Sequence, residues 1–418
     1  MREMKDSGIE WIGEIPCDWK LERSQWHLEE VNISNNPIQT NNVLSLTNKL
    51  GVVPYEEKGN QGNKSKENVY EYKLAYPNTI VANSMNILIG SVGLCDYFGC
   101  VSPVYYVFKA KKHNNIKFLN YVFQTVGFQR ELRKYANGIL EIRLRVSASD
   151  ILKRFIPFPS ENEQQRIAEF LDRECGKIDG VKADIQAQID TLEQYKRSII
   201  TEAVTHGLNP FAPMKDSGVD YIDKIKSDWR ITKIGFVCSK LTRGFSAEDP
   251  ALICSNNGSV MLRDEEKACG KMVSEDNAMQ GIHIGDIAIH GMDTWHGAIG
   301  FSKIKGKITR VVHVCDSSED KRFIVYYLKS LAYQNVYKLI SNGVRGNTSD
   351  FRSWDKVKDI YICLPATKKE ENEICDYLDA QCENIDMIIA DKKLQIETLD
   401  GYKKSLIYEY VTGKKEVV

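Results

Sequence analysis

The chain is written twice, and that repeat limits its architecture more than any other feature. Met4-Lys5-Asp6-Ser7-Gly8-Ile9-Glu10-Trp11-Ile12 returns as Met214-Lys215-Asp216-Ser217-Gly218-Val219-Asp220-Tyr221-Ile222, and Asp18-Trp19-Lys20 returns as Asp228-Trp229-Arg230. Further on, Gly90, Gly93 and Gly99 align with Gly297, Gly300 and Gly306. The stretch from Lys117 to Gly138 aligns with Arg322 to Gly343, and Phe170-Leu171-Asp172 with Tyr377-Leu378-Asp379. A unit of about 207 residues is far longer than a solenoid repeat of roughly 20–50. The 418 residues therefore hold two equivalent units, each large enough to bury its own core.

Each copy has two textures. The first is rich in Gly, Asn and aromatics, with short apolar runs such as Thr79-Ile80-Val81, Val104 to Phe108 and Val311 to Val314 that read as strands. Phe118 to Tyr135 and Phe323 to Ile340 carry apolar residues at helical spacing. The second texture is one long helix. Leu171, Ile178, Ile185, Leu192 and Ile199 sit seven apart, and Leu378, Ile385, Leu399 and Leu406 keep the same phase in the copy. Lys392 stands where the first helix has Ile185. Such heptads make an apolar seam for a partner helix. A helix of about 40 residues spans about 60 Å.

The expected fold class is α+β, with two pseudo-symmetric strand-rich domains separated by two long antiparallel coiled-coil helices. The expected boundaries are 1–160 and 208–366 for the domains, 161–207 and 367–413 for the helices, and 414–418 for a tail.

Charge narrows the function. Lys+Arg 56 against Asp+Glu 57 gives a net charge of −1, so a nucleic-acid face must be a local patch. No apolar run approaches the roughly 20 residues of a membrane helix, and the first residues lack a signal-peptide core, which predicts a cytoplasmic protein. The 11 cysteines include no C-x-x-C pair and read as reduced thiols. No phosphate-binding glycine loop or dinucleotide fingerprint is present. Asn209-Pro210-Phe211 lacks the second proline of an adenine-methyltransferase site. Glu265-Glu266-Lys267, with Asp249 upstream, reads as a charged loop rather than a nuclease centre. His283, His290 and His296 have no counterparts in the first copy, so a polar recognition loop suits them better than zinc. No catalytic or metal-binding residue is expected.

What remains is a two-headed binder. Arg and Lys suit phosphates and guanine, while Asn and Gln suit the adenine edge. The candidate DNA contacts in the first copy are Lys58, Asn60, Gln61, Asn63, Lys64, Lys66, Asn83, Asn86, Arg143 and Arg145. In the second they are Arg263, His290, Asp293, Trp295, His296, Arg345, Asn347 and Arg352. The competing readings are a nuclease or fused methyltransferase, and a coiled-coil interaction scaffold.

The chain resembles the specificity (S) subunits of type I restriction-modification systems. The resemblance lies in the two openings, Met4 to Pro16 and Met214 to Ile222. It lies also in Ile156-Pro157-Phe158-Pro159 followed by Glu163-Gln164-Gln165-Arg166-Ile167 and Phe170-Leu171-Asp172. The second copy departs from this pattern, with Glu370-Glu371-Asn372-Glu373-Ile374 after Pro365. The resemblance implies two target recognition domains that each read half of a split, asymmetric site in double-stranded DNA, with the helices setting the gap. It also implies no catalysis and no cofactor in this chain. Two modification subunits would bring S-adenosylmethionine and methylate adenine at N6. Two restriction subunits, where present, would cleave with ATP and Mg.

Overall fold

The computed structural model describes residues 2–47, 51–58, 68–111, 114–138, 144–263, 278–341 and 350–417. The chain divides into two compact units, residues 1–185 with 393–418 and residues 186–392.

The first unit is built around Thr79–Asn83, a strand whose five residues are all buried. Successive side chains of a strand point to opposite faces. Ile80 and Ala82 accordingly enter one core, with Trp19, Phe108, Phe118 and Phe128, while Val81 enters a second with Leu44, Val52 and Val107. A strand buried on both faces needs the continuous apolar run that the sequence supplies. The sheet order is Leu28–Glu30, Tyr105–Ala110, Thr79–Asn83, Val92–Cys95, and every pairing is antiparallel.

The second unit repeats this. Its sheet runs Cys238–Lys240, Val312–Ser317, Ile287–His290, Ile299–Phe301. Ile287 and Ile289 enter one core and Ala288 the other. Helix Ile116–Gln124 is capped by Asn115, whose side chain accepts from the Lys117 and Phe118 N–H groups. Helix Lys321–Tyr333 is capped in the same way by Asp320. Asn and Asp serve here because a short side-chain acceptor reaches the free N–H groups of a first turn.

The aligned glycines do the same work in both units. Gly90 and Gly297 end short 3-10 turns with φ +89° and +82°, a region that L side chains avoid. Gly99 and Gly306 lie against backbone, where a Cβ would come 2.6 Å from the Asn42 oxygen and 2.5 Å from the Pro250 oxygen.

The long helices are Glu161–His206 and Lys368–Val411. Within the first unit, Lys403 donates to Asp179 at 2.6 Å, and Lys182 pairs with Asp400. Within the second, Lys196 donates to Asp386 at 2.7 Å. Numbers rise along one helix as they fall along the other, so the helices run antiparallel in each unit. Leu171, Ile178, Ile185, Ile199, Leu378, Ile385 and Leu406 are buried, and Leu192 and Leu399 half-buried. Lys392, the polar break in the seam, donates to Gln188 on the other helix.

A carboxylate at each domain–helix junction ties these parts together. Tyr121 and Lys117 donate to Asp172 at 2.8 and 2.7 Å. Their counterparts Tyr326 and Arg322 donate to Asp379 at 2.7 and 2.9 Å. No helix among the described residues is long and apolar enough to cross a membrane.

Candidate nucleic-acid interface

In each unit the central strand runs out of the sheet into a tight polar turn. In the first, Asn83 Oδ1 accepts the Met85 N–H at 3.0 Å, and the chain closes through the 3-10 turn Ile87–Ile89 onto Gly90. In the second, His290 takes the place of Asn83, and its Nδ1 accepts the Asp293 N–H at 3.2 Å. That role needs a neutral ring. Burial lowers the His290 pKa, and the Asp293 carboxylate, 3.3 Å away, opposes this only in part. The 3-10 turn Thr294–His296 then closes onto Gly297.

A second stretch of chain is stitched to each turn. The Val146 N–H donates to the Ser84 oxygen at 3.1 Å, and the Phe351 N–H donates to the Gly291 oxygen at 3.0 Å. Gly291 has no room for a side chain, since a Cβ would lie 2.6 Å from the Phe351 oxygen. Arg145 and Arg352 are thereby brought beside the turns, and both are exposed. Arg145 is fixed by a pair of backbone hydrogen bonds to Asn137, at 2.8 and 2.9 Å.

The first patch thus presents Asn86 and Arg145. The second presents His296 and Arg352 with half-buried Asp293 and Trp295. The Lys338 ammonium lies 5.9 Å from the centre of the Trp295 ring, and the indole N–H has no hydrogen-bond partner among the described residues. An exposed guanidinium beside an exposed amide or imidazole is suited to phosphate oxygens and base edges.

Other expected contacts fall elsewhere. Lys58 is buried with its ammonium 4.1 Å from the Tyr55 ring centre, and Asn83 is buried in bracing its turn, so neither offers its polar end to a duplex. Lys58 opens a polar stretch and Asn83 ends the central strand; in both cases burial depends on the fold around the residue. Arg263 is half-buried just after the hairpin Leu252–Cys254/Val260–Leu262. Asn60, Gln61, Asn63, Lys64, Lys66, Arg143, Arg345 and Asn347 lie outside the described residues. Lys338 was missed by sequence reasoning, since its pairing with Trp295 depends on the packing of the helix Val336–Ile340.

Residues 27–191 match the family model of the type I restriction modification DNA specificity domain. No curated protein matches by sequence. Among solved structures, a chain of a type I R-M system, solved to explain complex assembly and conformational transition, is 12% identical. It superposes with a TM-score of 0.66 over 96% of this chain and 99% of its own. The HsdS subunit from Thermoanaerobacter tengcongensis is 14% identical, with a TM-score of 0.45 over 96% and 98%. The S subunit from M. genitalium is 14% identical, with a TM-score of 0.37 over 94% and 96%. The likeness in fold rests on the first of these. Residues 27–191 are thus similar to the type I restriction modification DNA specificity domain, and the chain as a whole shares its fold with a chain of a type I R-M system.

Proposed function

We propose that the chain reads a split, asymmetric site in double-stranded DNA and directs partner subunits to it. The two recognition domains, 1–160 and 208–366, each read one half, and the long helices set the gap between the halves. Two modification subunits bring S-adenosylmethionine and methylate adenine at N6, and restriction subunits, where present, add ATP- and Mg-dependent cleavage. The chain itself catalyses nothing.

One observation carries this reading. The turn after the central strand has the same backbone in both units, yet exposes Asn86 and Arg145 in one and His296 and Arg352 in the other. A shared frame with different polar side chains is what two readers of unlike half-sites need, because base edges are distinguished by donor and acceptor pattern. The test is selection of bound sites from a random library by the assembled complex, with parent chain and with Arg352→Ala. The variant is expected to relax or lose one half-site and leave the other intact. Loss in both halves, or no change in either, would overturn the assignment.

A further inference from the structure

We propose that Trp26 and Phe236 are equivalent docking points, one on each unit, for two copies of a single partner protein. The inference rests on the reading that modification subunits assemble on this chain, and it names where they would grip.

Trp26 closes the 3-10 turn Ser24–Trp26, and Phe236 lies in the short helix Ile234–Val237. The alignment that pairs Trp19 with Trp229 pairs these two residues as well. Trp26 is 55% exposed and Phe236 82%. Both segments are held by the same backbone bonds. The Ser24 N–H donates to the Arg154 oxygen and the Ile234 N–H to the Ile360 oxygen, each at 2.9 Å. On the other side, the Lys111 N–H donates to the His27 oxygen at 2.8 Å and the Ser318 N–H to the Val237 oxygen at 3.0 Å. A cation on an aromatic ring recurs beside each point: Arg23 lies 5.2 Å from the Phe155 ring centre, and Lys233 lies 5.3 Å from that of Tyr361.

The surrounding side chains have diverged, with Ser24, Gln25 and His27 set against Ile234, Gly235 and Val237. Only the outward aromatic is kept. Folding does not explain it, since neither ring fills a core. Rigidly presented, exposed aromatics are the side chains that anchor protein interfaces, because they bury much area at little entropic cost. Intact duplex DNA offers such a ring no free base face on which to stack. The partner fitted by this geometry is a protein surface with an apolar socket for the ring and, at the first point, a carboxylate facing Arg23; Lys233 is already paired with Asp359 at 2.9 Å. Recurrence in both units makes it one protein bound twice.

The experiment counts partners. Full-length chain is mixed with purified modification subunit, and particle masses are read by mass photometry for the parent, Trp26→Ala, Phe236→Ala and the double variant. Each single variant is expected to lose one of two bound partners, with affinity at that site weakened at least tenfold, and the double variant to lose both. Trp26→Phe and Phe236→Trp should restore binding, which separates loss of an anchor from misfolding. Two partners bound with parental affinity by both alanine variants would overturn the inference. So would an unchanged partner count with weakened DNA binding, or with loss of a dimer of this chain. If the parent itself binds no modification subunit, the proposed function fails first, and this assignment with it.

Discussion

The two units hold the same buried tryptophan in different ways. Trp19 and Trp229 are each 1% exposed. The Trp19 indole donates to Glu163 at 2.9 Å, and Arg2 donates to the same carboxylate. At the aligned place in the second unit, Glu370 accepts from Lys226 at 2.7 Å, and the Trp229 indole N–H has no partner among the described residues. One position further along, Gln164 accepts the Asn115 N–H at 3.0 Å and donates its amide to the Pro159 oxygen at 3.0 Å. Glu371 replaces it and accepts the Asp320 N–H at 3.0 Å. Duplication preserved the backbone and the apolar contacts. The polar satisfaction of the second junction was left poorer, and a buried unpaired donor costs more than a made hydrogen bond returns.

The sharpest break between the copies should come from their aligned glycines. A Cβ on Gly300 would lie 1.9 Å from the Gly258 oxygen, whereas one on Gly93 would meet the Leu46 side chain at 3.3 Å. Backbone cannot give way as a leucine tip can. Gly300→Ala is therefore expected to cost about 3–5 kcal/mol and Gly93→Ala about 1 kcal/mol. Hydrogen exchange resolved by unit will check this; equal losses would mean that both frames are equally tight.

Next in size are the tryptophan junctions. Glu163→Ala leaves a buried indole N–H and Arg2 without their shared acceptor, for an expected loss of about 2–3 kcal/mol. Glu370→Ala removes an ion pair whose lysine keeps Asp228 at 3.2 Å, for about 0.5 kcal/mol. Urea midpoints of the two variants should differ in that order.

A third difference between the units depends on pH. Burial pushes the Glu371 carboxyl up to about 7, and the charges of Glu319 and Asp320 push the same way against Lys368 and the Asp320 N–H. An unfolded glutamate ionises near its ordinary value of about 4.3. Between there and about 7 the folded chain holds the extra proton, so stability falls as pH rises through that window and stays low above it. Glu371→Gln, which copies the residue of the first unit, should stabilise the second unit by about 2 kcal/mol at pH 8. The gain should vanish at pH 4, as measured by unit-resolved urea melts. A gain independent of pH would place its origin in packing instead of charge.

Much of this fold was legible because repeats, heptads and glycines act through backbone geometry. The seam from Leu171 to Ile199 and its copy mark the long helices by period alone. Gly90 and Gly297 mark tight turns because few other residues adopt their φ. The candidate site was less legible. Asn83 and Lys58 look like surface amide and cation, yet both are buried, since a polar residue at the edge of an element gives no sign of which way it points. Asp172 and Asp379 could have been found: they align, and so do Lys117 with Arg322 and Tyr121 with Tyr326. Nothing in the sequence, however, joins those two segments before the chain is folded. Trp26 and Phe236 could likewise have been found as an aligned pair, but not their exposure.

The division of the chain has a consequence for how it is made. Residues 186–392 form one unit from a single unbroken stretch, whereas residues 1–185 are completed by 393–418. That last stretch carries Leu406, Ile407 and Val411 into the core around Trp19 and Leu171. During synthesis the second unit has all its residues while the first, though begun earlier, still lacks part of its interior. Domains generally fold as units while the chain emerges. The portion translated first is thus the portion finished last, and until residues 393–418 leave the ribosome its apolar helix face is open to chaperones.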